Sequence, residues 1–130
     1  MSGSRCIADT SIIISLFMGD QLIVKAFDKL ALVYLPVVSL GELYAGAYLS
    51  DERDFSFGQI EGILKKMRLL NIDQKTAMIF GHIRTELRKK GKPIPENDVW
   101  IAALAKQHQL PLITSDKHFR EVKGIKVRYW

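Results

Sequence analysis

Three apolar runs in this chain each lead into a carboxylate, and that repetition limits what the chain can fold into more than any other feature. Arg5-Cys6-Ile7-Ala8 stops at Asp9, followed by Thr10 and Ser11; Val33-Tyr34-Leu35-Pro36-Val37-Val38-Ser39 leads to Glu42; Leu112-Ile113-Thr114-Ser115 leads to Asp116. A short run that is apolar throughout, instead of alternating, suits a strand covered on both faces, which is the condition of a parallel sheet. The first run is expected to be the central strand, with Asp9 at its carboxyl end. In open α/β sheets ligands bind in the crevice outside the carboxyl ends of the strands. A fourth acid, Asp98, stands where a helix is expected to open.

Between the strands the pattern turns helical. Thr10–Phe17 reads as a first helix, and Asp20 as the cap of a second from Gln21 to Leu30. A second strand is expected over Ala31–Leu35. Ser39-Leu40-Gly41-Glu42 has the form of a capping box, in which the serine takes an amide of the first turn and the glutamate reaches back; the same glutamate also stands beside the end of the second strand, and the residues leave both roles open. A further helix is expected from about Phe55 to Leu69, an edge strand at Leu69–Ile72, and a helix capped by Asp73 with Ala77, Phe80, Ile83 and Leu87 on one stripe. After Pro93-Ile94-Pro95, Asn97 or Asp98 opens an alanine-rich helix, followed by strands at Pro111–Thr114 and Lys126–Trp130. Strand and helix alternate throughout. The expected class is therefore α/β, a three-layer α/β/α sandwich around a mostly parallel sheet of four or five strands.

A length of 130 residues fits one domain spanning 1–130, with Met1-Ser2-Gly3-Ser4 set aside as a disordered or cloning-derived lead-in. Hydrophobic residues at 48% and charged residues at 25% are ordinary for a globular chain. No apolar run approaches the ~20 residues of a membrane span, so no membrane association is expected. No export-signal pattern opens the chain, which makes the cytoplasm the expected location. The single cysteine, Cys6, falls in a buried strand and is expected to be a packing residue. A net charge of +5 favours a polyanionic partner. The charge gathers at Arg84, Arg88, Lys89, Lys90 and Lys92, where cations complement a helix carboxyl end before Gly91 but outnumber what capping needs; they are candidate nucleic-acid contacts.

No glycine-rich phosphate or dinucleotide loop and no Gly-x-Ser-x-Gly elbow is present. His82, His108 and His118 lack ligand spacing and are read as surface or partly packed side chains. Carboxylates remain. Each of Asp9, Asp98 and Asp116 taken singly is as well explained as a turn or cap residue, and Asn97 and Ser11 either orient ligands or water or cap helices. Together the acids would crowd one crevice. Two carboxylates ~4 Å apart repel by roughly 1 kcal/mol in water and by several times that in a sheltered cleft. A divalent cation resolves the conflict, and oxygen-only ligands suit Mg2+ or Mn2+, which can activate a water for in-line attack on a phosphodiester.

The set Asp9-Thr10-Ser11, Ser39-x-x-Glu42-x-x-x-Gly46, Pro95-x-Asn97-Asp98-x-x-Ile101-Ala102-Ala103 and Thr114-x-Asp116-x-x-Phe119 resembles the PIN-domain ribonucleases, most closely the VapC-type toxins of toxin–antitoxin pairs. The resemblance runs in order over nearly the whole chain. It implies a PIN-like fold and a Mg2+- or Mn2+-dependent endoribonuclease acting on transfer, ribosomal or messenger RNA. It also implies a homodimer, held inactive by a cognate antitoxin that wraps the toxin and covers the acidic site. Carried over by position, it implies Asp9, Asp98 and Asp116 as metal ligands, Glu42 as a ligand or water-positioning group, and Thr114 and Ser11 as supports. Ser11 departs from the asparagine common at its position. Two alternatives differ in biology or in class: a PIN-fold RNA-processing nuclease that is not a toxin, and a Mg2+-binding phosphoacceptor receiver domain. The receiver expects paired acids after the first strand and an acceptor aspartate after the third, and the sequence has neither.

Overall fold

The computed structural model describes residues 5–130; the expectation for residues 1–4 lies outside the described residues. The elements run β1 (Arg5–Ala8), α1 (Thr10–Phe17), α2 (Gln21–Asp28), β2 (Leu32–Pro36), α3 (Val37–Leu49), α4 (Arg53–Leu64), β3 (Arg68–Leu70), α5 (Gln74–Lys89), α6 (Glu96–His108), β4 (Leu112–Thr114), a 3-10 turn (Lys117–Glu121) and β5 (Val127–Tyr129). All strand pairings are parallel, in the order β3-β2-β1-β4-β5. The first strand is thus the central one.

Alternation along β1 sorts the molecule into three layers. Cys6 and Ala8 join Val33, Leu35 and Ile113 in a core with α1 to α4, whereas Ile7 joins Leu112 in a core with α5, α6 and Phe119 on the other face. Both faces being covered, β1 has no polar position between exposed Arg5 at its start and Asp9. Because β1 pairs with β2 on one side and β4 on the other, connections leave the strand ends in opposite directions, and a crevice opens outside the carboxyl ends of β1 and β4. A receiver of the flavodoxin-like type places its third strand beside the first. Here β3 lies at the sheet edge, which removes that alternative.

Two expected helix boundaries move by three residues or more. Helix α3 begins at Val37, with Pro36 at its cap position, so Ser39 lies inside the first turn and the capping box does not form; Ser39 is fully buried, and its Oγ has no hydrogen-bond partner among the described residues. The proline fixes φ for the helix start and takes the place the serine was expected to fill. Helix α4 stops at Leu64 instead of Leu69, because Arg68–Leu70 bond to β2 as an edge strand.

Asp73 caps α5 as expected, in a reciprocal box with Thr76, and Gln107 at the end of α6 bonds to both residues, so the two helices are joined where one starts and the other finishes. The buried stripe of α5 is Thr76, Ile83 and Leu87; Ala77 faces solvent, and Phe80 stacks on Trp100 with ring centroids 3.9 Å apart. Gly91, at φ +70°, ends the segment that leads into Pro93 and the start of α6.

Candidate active site

Asp9 is the deepest of the acids, 4% exposed at the end of β1. Its Oδ2 accepts hydrogen bonds from Thr114 Oγ1 at 2.7 Å and from Ser11 Oγ at 3.1 Å. Both hydroxyls also accept: Thr114 Oγ1 from the Asp116 amide at 2.9 Å, and Ser11 Oγ from the Ser115 amide at 3.3 Å. Two side chains therefore stitch the end of β1 to the turn after β4 and aim Asp116 at the same crevice. Burial still dominates at Asp9 and raises its pKa, opposed by the hydrogen bonds from Thr114, the Thr10 amide and Ser11, and reinforced by the Asp116 charge.

Asp98 enters from the first turn of α6. Neither it nor Asn97 caps the helix; Pro95 holds that position, and the Asp98 amide donates to the Pro95 carbonyl at 3.0 Å. The carboxylate is thus free to face the strand ends, with the positive end of the helix dipole behind it. Burial pushes its pKa up to about 6, with the charges of Asp9 and Asp116 adding to the rise and a hydrogen bond from His118 opposing it.

One member was not found from the sequence. His118 Nδ1 lies 3.0 Å from Asp116 Oδ1 and 3.3 Å from Asp98 Oδ2, and one ligand atom from each of Asp98, Asp116 and His118 falls within 4.8 Å of the others. The 3-10 turn accounts for this placement. Asp116 caps it through the His118 amide at 2.9 Å, and fully buried Phe119 pins the next residue to the core. A spacing of two from Asp116 carries no ligand signal in an extended chain; the turn creates it.

Glu42 stands apart from this close group. It is exposed and accepts a hydrogen bond from Thr10 Oγ1 at 2.8 Å, which keeps it beside the start of α1. Asn97 is exposed and makes no side-chain hydrogen bond among the described residues. Of the five basic candidates, Arg84 pairs with Glu96 at 3.0 Å and Lys90 with the Glu121 main chain, while Arg88, Lys89 and Lys92 are exposed. Lys92 also lines a cleft of about 250 Å³ with Lys117, His118, Arg120 and Glu121, so a surface with more cations than anions borders the acids.

The carboxylates of Asp98 and Asp116 and the imidazole of His118, with no lysine or arginine among them, form a donor set that suits a divalent cation, and Asp9 lies behind them, outside that close group but near enough for its charge to act on Asp98. Such an ion would offset both the burial, which is the larger cause, and the charge repulsion that raise the two aspartate pKa values.

The sequence matches the family model described as PIN domain over residues 6–125. Ribonuclease VapC2 of Haemophilus influenzae is 33% identical over 125 residues, covering 94% of this chain and 95% of that protein. The VapBC2 complex of Rickettsia felis bound to a promoter DNA fragment superimposes with a TM-score of 0.92 at 22% identity, over 97% of this chain and 98% of that one. VapBC-1 of nontypeable Haemophilus influenzae gives 0.89 at 27% identity, over the same shares of each chain.

Thr114→Val keeps the shape of the side chain but leaves buried Asp9 short of its best donor. Urea unfolding should show a loss of about 1–3 kcal/mol, and an unchanged midpoint would mean that the hydrogen bond contributes nothing. The second expectation concerns pH. The folded pKa of Asp98 lies above its ordinary value of 3.8, so ionising it costs native stability: the cost is absent below 3.8 and complete above about 6. In chelator, Asp98→Asn should therefore be more stable than the parent at neutral pH, by on the order of 3 kcal/mol, with the difference vanishing as pH falls towards 4. A difference independent of pH would refute the assignment.

Proposed function

The chain belongs to the PIN-domain family, and from that membership together with the cluster at the ends of β1 and β4 we propose that it is an endoribonuclease, the toxin of a toxin–antitoxin pair. The observation that carries this is the meeting of Asp9, Asp98 and Asp116, residues far apart in sequence, at one crevice of a fold shared with a named ribonuclease. Asp98 and Asp116, with Asp9 behind them, would hold Mg2+ or Mn2+, which when bound supplies Lewis-acid charge to the phosphodiester and the attacking water. Thr114 and Ser11 keep Asp9 oriented. Glu42, fixed by Thr10 at the mouth, orients the water. Attack by water, and not by the ribose 2′-hydroxyl, leaves a 5′-phosphate and a 3′-hydroxyl. Lys92, Lys117 and Arg120 take the backbone phosphates beside the acids, with Arg88 and Lys89 extending that surface.

The protein partner is an antitoxin. An apolar cleft of about 440 Å³ lies between α1, α2, β2 and α4, lined by Phe17, Val24, Phe27, Ile63 and Met67 among others. Next to it the α1–α2 pair leaves Met18 82% and Leu22 79% exposed. Apolar surface of this extent favours a covering segment. The single-domain organisation, the homodimer and the cytoplasmic location belong to the same reading; among the described residues no single helix is long and apolar enough to cross a membrane.

Cleavage of a defined RNA with Mg2+ or Mn2+ tests the chemistry. Asp98→Asn should lower kcat at least 100-fold, Lys92→Glu should raise KM with kcat little changed, and a 2′-methoxy group at the scissile nucleotide should still permit cleavage. Dependence on the free 2′-hydroxyl would defeat the mechanism. For the partner, the product of a reading frame beside this gene should co-elute with the chain, and the surface changes Met18→Glu and Leu22→Glu together should abolish co-elution without lowering Tm. Persistent co-elution would move the docking face elsewhere.

A further inference from the structure

Resting on the reading of the carboxylates as a divalent-cation site, we infer that His118 is itself a ligand, giving the site a nitrogen donor and a preference for Mn2+ over Mg2+. The imidazole is placed by three independent features. Its backbone is fixed by the Asp116 cap on one side and the buried Phe119 anchor on the other. Its Nδ1 lies between the two carboxylates, at 3.0 Å from Asp116 and 3.3 Å from Asp98. Its side chain is about half exposed, against 33% for Asp116 and 14% for Asp98, so it closes the solvent side of the group.

Donor chemistry then decides the ion. Mg2+ demands oxygen ligands in near-ideal octahedral geometry and keeps its water; imidazole suits the later first-row ions, and Mn2+ accepts both kinds of donor. Carboxylates alone would discriminate little between the two. With a nitrogen nearby, His118 adds affinity to Mn2+ that Mg2+ cannot use. His118 is thus a selectivity-determining residue, and the outer position of its side chain lets it be changed without disturbing the buried Asp9–Thr114 contact.

The test uses the full chain and Mn2+ itself. Binding is followed by loss of the free-ion electron paramagnetic resonance signal, with Mg2+ affinity taken from competition. Pulsed spectra of bound Mn2+ should show coupling to a directly coordinated 14N nucleus. His118→Gln should abolish that coupling and weaken Mn2+ by about tenfold or more, with a much smaller effect on Mg2+, so that the selectivity ratio falls. Bound Mn2+ without nitrogen coupling, or an unchanged ratio in the variant, overturns the inference and leaves the carboxylate site standing. Equal Mn2+ affinity in Asp98→Asn and the parent, or no binding to either, removes the site and the inference with it.

Discussion

The hydrogen bond from Thr114 to Asp9 continues the join between the two central strands beyond their last backbone bond, from the Asp9 amide to the Ile113 carbonyl at 2.9 Å. Nothing in a parallel sheet compels the end of β1 to meet the turn after β4; the backbone pairing between them is short, Ile7 to Leu112 and Ala8 to Ile113. The buried side-chain contact extends that seam past the last paired residue, and the Asp116 amide returns to the same hydroxyl. One oxygen therefore fixes the positions of two carboxylates. Exchanging Thr114 for any residue that cannot both donate and accept would break the relation between them.

This arrangement opposes stability and function. A buried carboxylate is costly unless hydrogen-bonded or paired, and the cluster uses hydroxyls and amides in place of lysine or arginine. No fixed cation neutralises the acids, and the raised pKa values of Asp9 and Asp98 record what their burial, with their mutual charge, costs the protein alone. The helix dipole of α6 and the half-exposed His118 moderate the repulsion without ending it.

Much of this was legible in the sequence. Continuous apolar runs gave the strands, and Asp20 and Asp73 gave two helix starts, because these signals are local. Ser39 and Glu42 misled for a local reason as well: the capping pattern was present, but Pro36 took the cap position three residues earlier, and Glu42 found Thr10 across the crevice. Asp9, Asp98 and Asp116 were legible as neighbours because each stands at or near the end or start of an element, whereas Glu42 lies within α3 and apart from them. His118 was not, since its role depends on a 3-10 turn whose anchor is Phe119 in the opposite core. Nor did the run from Arg84 to Lys92 reveal that Arg84 and Lys90 turn to Glu96 and Glu121, contacts made by folding alone.

The span between Asp9 and Thr114 also has a consequence for synthesis. The amino-terminal aspartate emerges early and the residues that orient it emerge near the finish, so translation must pass β4 before any pocket exists. A polypeptide halted upstream of Thr114 carries the first acid, Glu42 and Asp98 yet lacks the clasp. That order delays assembly of the crevice until nearly the whole message has been read.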